Sequence, residues 1–213
     1  MFYEILDDER KKLLPKLACF KDRFYLAGGT ALALQLGHRD SEDFDFFTPE
    51  DFDVQSLIDE LRSVLDGYKW QITQEEKNTV SVIVNEKIKL SFFKYPYLLL
   101  ELLLDEPYLK IASVSDIAGM KFSAIVGRAT MKDYVDIYYI LQQFDLAKLL
   151  ELSQKKMPNL DRQLILKSLV YFADVLPEKL KFKEGYKVEW SVVQKTISES
   201  VKNYLAKMAN LDI

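Results

Sequence analysis

Phenylalanine and aspartate alternate through residues 44–48 (FDFFT), as they should in a strand with one buried face. A short aromatic run, 23–27 (RFYLA), reads as another strand and ends at Gly28-Gly29. Thr30 is placed to cap a helix running to Leu36, with Gly37 as its stop. Beyond Pro49 the apolar positions Phe52, Val54, Leu57, Ile58, Leu61 and Leu65 follow helical spacing. Residues 70–73, 79–85 and 88–93 then predict three strands, with Asn85-Glu86-Lys87 as a hairpin turn. From Ser113 onward helices dominate: 117–126, 134–144, 146–155, 160–176 and 191–208. Ser113-x-x-Asp116, Thr130-x-x-Asp133 and Ser191-x-x-Gln194 are their capping boxes. The pattern divides the chain into a mixed α/β lobe, 1–108, and a helical lobe, 109–213.

Composition narrows the chemistry. The 213 residues include one histidine, His38, and one cysteine, Cys19, so no internal disulfide or Cys/His zinc site can form. Metal chemistry must rest on carboxylates, which favour hard ions. Cys19 reads as a small buried filler. The N-terminus is charged, and the greasy segment 98–104 is too short to span a bilayer and is interrupted by Glu101. A cytoplasmic protein that does not engage membranes is expected. The net charge of −4 conceals a split. Residues 109–213 carry 16 Lys+Arg against 12 Asp+Glu, and residues 1–108 carry 13 against 21. The rear lobe therefore has room for a polyanion, although solvated lysine-rich faces explain the same bias.

Asp43 and Asp45 lie two apart on the predicted strand, so both carboxylates project from one face while Phe44 and Phe46 anchor the other. Aspartate is disfavoured in strands, and two on one face need a reason. Such a pair can hold one or two magnesium ions (or manganese) with a triphosphate completing the coordination. Gly28-Gly29-Thr30, between strand and helix, offers backbone N–H groups to phosphate oxygens, and Ser41 adds a hydroxyl. Farther on, Lys121, Ile125, Arg128 and Lys132 recur at helical spacing, so Lys121 and Arg128 share a side as candidate phosphate-binding cations. With Asp133 and Asp136 they would equally make an inter-helix ion-pair network.

The block GGTALALQLGHRDSEDFDFF resembles the first motif of the DNA polymerase beta-like nucleotidyltransferase superfamily, and more narrowly that of the AbiEii/AbiGii toxin family. A second block, Asp116-Ile-Ala-Gly-Met-Lys121, Arg128 and Lys132-Asp133-Tyr-Val-Asp136, is similar to that family's helical motif. The resemblance implies an α/β (α+β) nucleotidyltransferase lobe with a small mixed sheet, followed by a helical C-terminal lobe. It implies transfer of a nucleoside monophosphate from an NTP to a hydroxyl acceptor, with tRNA as one acceptor, in a toxin–antitoxin or phage-defence setting with a cognate antitoxin. Asp43 and Asp45 would then bind metal and, with Lys121, carry catalysis. Gly28, Gly29, Thr30, Ser41, Arg128, Asp133 and Asp136 would bind nucleotide. The superfamily generally sets a third carboxylate on a later strand, and here Ser91 occupies the matching place, with Glu86 and Glu101 the nearest acids by sequence. That departure keeps a non-catalytic NTP-binding module in view, beside transfer of AMP to a protein.

Overall fold

The computed structural model describes residues 1–210, and the chain divides into two compact units, Met1–Ser113 and Val114–Ile213. The sequence pattern sets this boundary after residue 108. It falls later because two short strands that pattern reading misses, β6 (Leu104–Asp105) and β7 (Lys110–Ile111), complete the first unit's sheet. Together with β1 (Tyr25–Ala27), β2 (Phe44–Thr48), β3 (Trp70–Glu76), β4 (Thr79–Val84) and β5 (Ile88–Lys94) they form a seven-stranded mixed sheet. Its order is β3-β4-β5-β2-β1-β7-β6. Strand β2 sits inside it, antiparallel to β1 and parallel to β5.

One face of the sheet is apolar by alternation. Phe44 and Phe46 of β2, Val80, Val82 and Val84 of β4, and Leu90 and Phe92 of β5 are all buried there. Phe92 gathers Phe20, Phe24 and Phe46 at ring-centroid distances of 5.0, 5.2 and 4.9 Å. This dense cluster fixes β2 and β5 against each other. Helix α1 (Asp8–Leu17) is capped by the Asp7 carboxylate, which accepts from Arg10 N. Helix α3 (Val54–Val64) is shorter than its apolar pattern because Asp53 caps it, accepting from Ser56 N. Asn85 and Glu86 take positive φ of 50° and 57°, which closes the β4–β5 hairpin in the place expected.

Helix α2 (Gly28–Leu36) begins three residues earlier than the Thr30 cap would allow. Thr30 lies within its first turn, and Ala27 stands at the N-cap with no side-chain hydrogen bond. Gly37, at φ 68°, ends the helix in the left-handed conformation, its N–H donating to Ala33 O at 2.8 Å. Cys19 is exposed rather than buried, with Phe20 beside it pointing into the core instead.

The second unit is helical: α4 (Val114–Gly127), α5 (Met131–Ile140), α6 (Leu146–Lys156), α7 (Arg162–Leu169) and α8 (Trp190–Ala209). Helix α4 packs on α5, α6 and α7, and α8 covers the latter three. The pattern over 160–176 predicts a longer α7. The helix ends at Leu169 because Phe172 turns in to meet Tyr134 and Trp190, with centroids 5.3 and 5.8 Å away. Tyr134 Oη lies 2.8 and 2.9 Å from the carbonyls of Ser168 and Tyr171, satisfying the frayed end. Glu189, not Ser191, occupies the N-cap of α8. Among the described residues no helix is long and apolar enough to cross a membrane.

Candidate active site

In the first unit the predicted residues converge at the turn between β1 and α2. Gly28 has φ +73°, and a Cβ built on it would lie 3.1 Å from Asp45 Oδ2. A Cβ on Gly29 would lie 2.8 Å from Arg39 Nη2 and 3.3 Å from Ser41 Oγ. Both glycines are therefore required by close approach: one lets the backbone reach the Asp45 carboxylate, the other makes room for Arg39 and Ser41. No side chain caps the start of α2, and the unsatisfied N–H groups of a helix N-terminus favour an anion. Asp43 is exposed at the mouth of β2, and Asp45 is half-buried on the face opposite Phe44 and Phe46.

Thr30 is 2 % exposed. Its hydroxyl lies 2.8 Å from Ser41 Oγ and donates to the carbonyl of Asp43. Thr30 thus ties the loop ahead of β2 to α2. Arg10 works from the other side, and no pattern in the sequence marks it. Only 2 % exposed, it donates to Glu42 O at 2.7 Å and Lys87 O at 3.2 Å, and pairs with Asp7 at 2.6 Å. Arg39 is also missed by sequence reasoning. It is 4 % exposed, donates to Asp40 O at 3.0 Å and lays its guanidinium beside Gly29. Its position directly after the helix-stopping Gly37-His38 is the one signal that could have found it. His38 itself is fully buried.

Ser91 stands directly beside Asp45 in the register of β5 against β2. It therefore occupies the neighbouring-strand position where a third carboxylate would sit. Among the described residues no three Asp, Glu, His or Cys side chains come together as a metal-holding group. Neither Glu86 nor Glu101, both exposed, completes a triad with Asp43 and Asp45. Two adjacent carboxylates beside donor N–H groups still suit a hard divalent ion that arrives with phosphate oxygens of its own.

The second unit assembles the other predicted residues into one network. Lys121 Nζ, on α4, lies 2.9 Å from Asp133 Oδ1 and 2.5 Å from Asp136 Oδ2, on α5. Both carboxylates are wholly buried and Lys121 is 5 % exposed. Arg128 Nε lies 3.1 Å from Asp133 Oδ2, yet its side chain is 59 % exposed. The Thr130 hydroxyl donates to Asp133 Oδ2 at 2.6 Å instead of capping α5. Burial would raise the Asp133 carboxyl, but the Lys121 charge and hydrogen bonds from Arg128, Thr130 and Lys121 hold it below the ordinary carboxylate value. The ion-pair reading of these four residues is thus present in full. It leaves Lys121 spent on two carboxylates and Arg128 facing solvent.

A DxD strand beside an uncapped, glycine-started helix on a mixed sheet defines the nucleotidyltransferase class of fold. The family profile described as "Nucleotidyl transferase AbiEii toxin, Type IV TA system" matches residues 15–207. The chain belongs to this family and is a nucleotidyltransferase. An uncharacterised protein of Aquifex aeolicus (strain VF5) is 38% identical over 94% of this chain and 98% of its own length. MenT4, a nucleotidyltransferase toxin of Mycobacterium tuberculosis H37Rv, shares the fold with a TM-score of 0.59 at 16% identity, over 92% of this chain and 82% of that one. JHP933 of Helicobacter pylori does so with a TM-score of 0.51 at 17% identity, over 99% and 98%.

Proposed function

We propose that the protein transfers a nucleoside monophosphate from an NTP to a hydroxyl on a cellular acceptor, and that this transfer makes it the toxin of a pair with a cognate antitoxin. The observation that carries the reading is the approach of Gly28 to Asp45, 3.1 Å from a would-be Cβ to Oδ2. It brings the backbone that would bind phosphate beside a carboxylate that would bind metal. Asp43 and Asp45 would hold magnesium, or manganese, which supplies charge neutralisation on the triphosphate. The start of α2, with Gly28, Gly29 and Ser41, binds the phosphates. Thr30 and Arg10 hold the loop that carries Asp43. The acceptor oxygen attacks the α-phosphorus in line, the bond to the bridging oxygen of the β-phosphate breaks, and pyrophosphate leaves.

In the second unit the exposed Arg128 is the nucleotide-binding candidate that the family resemblance names. Lys121 fixes it through their shared partner Asp133, while Asp136 completes the neutralisation of Lys121. Lys121 therefore acts as a positioning residue, although the family resemblance makes it catalytic. The acceptor class we favour is RNA, with tRNA first, and the setting is the cytoplasm, where NTPs and antitoxin coexist.

Incubation with magnesium, each α-labelled NTP in turn and total tRNA tests the assignment. Wild type should label the RNA from one or a few NTPs, and Asp43→Asn and Asp45→Asn should each abolish labelling. Equal labelling by all three would overturn the site. Binding of magnesium–NTP with no transfer to RNA or protein would instead point to a module that binds nucleotide without turnover.

A further inference from the structure

Ser81, Ser91 and Asp45 form a single row across three strands: Ser81 on β4 is in register with Ser91 on β5, which is in register with Asp45 on β2. Partners in register point to the same face of a sheet, about 5 Å apart. Ser81 is 1 % exposed and Ser91 is fully buried. Among the described residues, neither hydroxyl has a hydrogen-bond partner. Two orphaned hydroxyls in succession are exceptional, because buried polar groups are nearly always paired. Ser91 is one strand from Asp45, and Ser81 is one strand beyond Ser91. Ser91 and Asp45, neighbours in that row, supply two partners for a buried water, which takes two to four.

We infer that Ser91 holds an ordered water against the Asp45 carboxylate, with Ser81 behind Ser91 in the row, a neutral replacement for a third carboxylate. The inference rests on Asp43 and Asp45 being the metal site. Its consequence concerns metal loading. With two carboxylates and a water where three carboxylates would stand, the site lacks the charge to retain a divalent cation alone. The cation is delivered with the triphosphate, whose oxygens supply the missing negative charge. Phe93, two residues beyond Ser91, and Ile83, two beyond Ser81, flank the row on the same face. The water-held Asp45 then keeps one orientation through turnover, so Ser91 and Ser81 are positioning residues.

Manganese binding followed by electron paramagnetic resonance on the full chain tests this, with and without an α,β-methylene NTP analogue. Wild type should bind free manganese with a dissociation constant of about 1 mM or weaker, and at least about tenfold more tightly with the analogue. Ser91→Asp should tighten binding of free manganese about tenfold. Ser91→Ala and Ser81→Ala should weaken manganese binding in the presence of analogue severalfold and lower kcat for transfer while leaving KM for NTP unchanged. Thermal midpoints confirm that each variant is folded. If Ser91→Asp does not fold, the two alanine variants decide. Unchanged manganese binding in both alanine variants, or tight binding of free manganese by wild type, would overturn the inference. Asp45→Asn separates it from the site assignment: wild-type manganese binding with analogue in that variant would overturn the metal site itself.

Discussion

Replacing Lys121 with Met removes the one ammonium that bridges Asp133 and Asp136 and leaves a side chain of similar length. Both carboxylates are 0 % exposed, so neither can be rehydrated without opening α4 from α5. Breaking a buried ion pair by deleting one partner costs about 3–5 kcal/mol, because the remaining charge is stranded. Asp133 keeps Arg128 at 3.1 Å and Thr130 at 2.6 Å, which argues for the lower end. A loss of roughly 3 kcal/mol in a chain of this size corresponds to a fall of roughly 6–12 °C in thermal midpoint. Arg128→Met is the control. Its side chain is 59 % exposed, and an exposed pair contributes about 1 kcal/mol or less. Urea unfolding followed by circular dichroism measures both. Lys121→Met within 1 kcal/mol of wild type, or Arg128→Met as costly as Lys121→Met, would refute the division of labour between the two cations. An inactive Lys121 variant is evidence about catalysis only once its stability is known.

Other consequences can be measured alongside. Gly28→Ala forces a Cβ onto φ +73° and toward Asp45 Oδ2. It should cost about 1–2 kcal/mol in stability and lower transfer far more than that loss explains; wild-type kinetics in a folded variant would contradict the close approach. Lys156 and Asp116 pair at 2.6 Å with both side chains buried. Lys156→Met alone should destabilise by about 3–5 kcal/mol, and Lys156→Met with Asp116→Leu should recover most of the loss; denaturation of the two settles it. The depressed Asp133 carboxyl means the unfolded chain binds a proton there more readily than the folded one. Its stabilisation is therefore complete above the unfolded value of about 3.9 and is lost as pH falls further, through the folded value. Asp133→Asn should flatten the acid limb of stability against pH; an unchanged acid limb would show that the network contributes nothing there.

The parts of the fold that were readable in sequence are those encoded by short-range repetition. The alternation FDFFT gives β2 with Phe44 and Phe46 inward, and the glycines bracket α2, because both depend on neighbours a few residues away. The carboxylate row is also local. What escaped depends on distant partners. Arg10 reaches a carbonyl 32 residues away and another 77 away, and carbonyls leave no mark in a sequence. Strands β6 and β7 are two residues each, too short for any periodicity. Arg39 carries no periodic signal, because its meaning comes from Gly29, across a helix. The place of Ser91 was visible only by resemblance, and the β2–β5 register gives it physical content: it is the residue beside Asp45.

In the proposed reaction Asp43 and Asp45 serve transfer of the α-phosphorus, with its nucleoside, and release of pyrophosphate. Parallel reactions with α-labelled and γ-labelled NTP, magnesium and total tRNA test it most directly. The α label should appear on the acceptor and the γ label only in pyrophosphate, both lost in Asp45→Asn. Transfer of the γ label to the acceptor, or α labelling that survives Asp45→Asn, would contradict it.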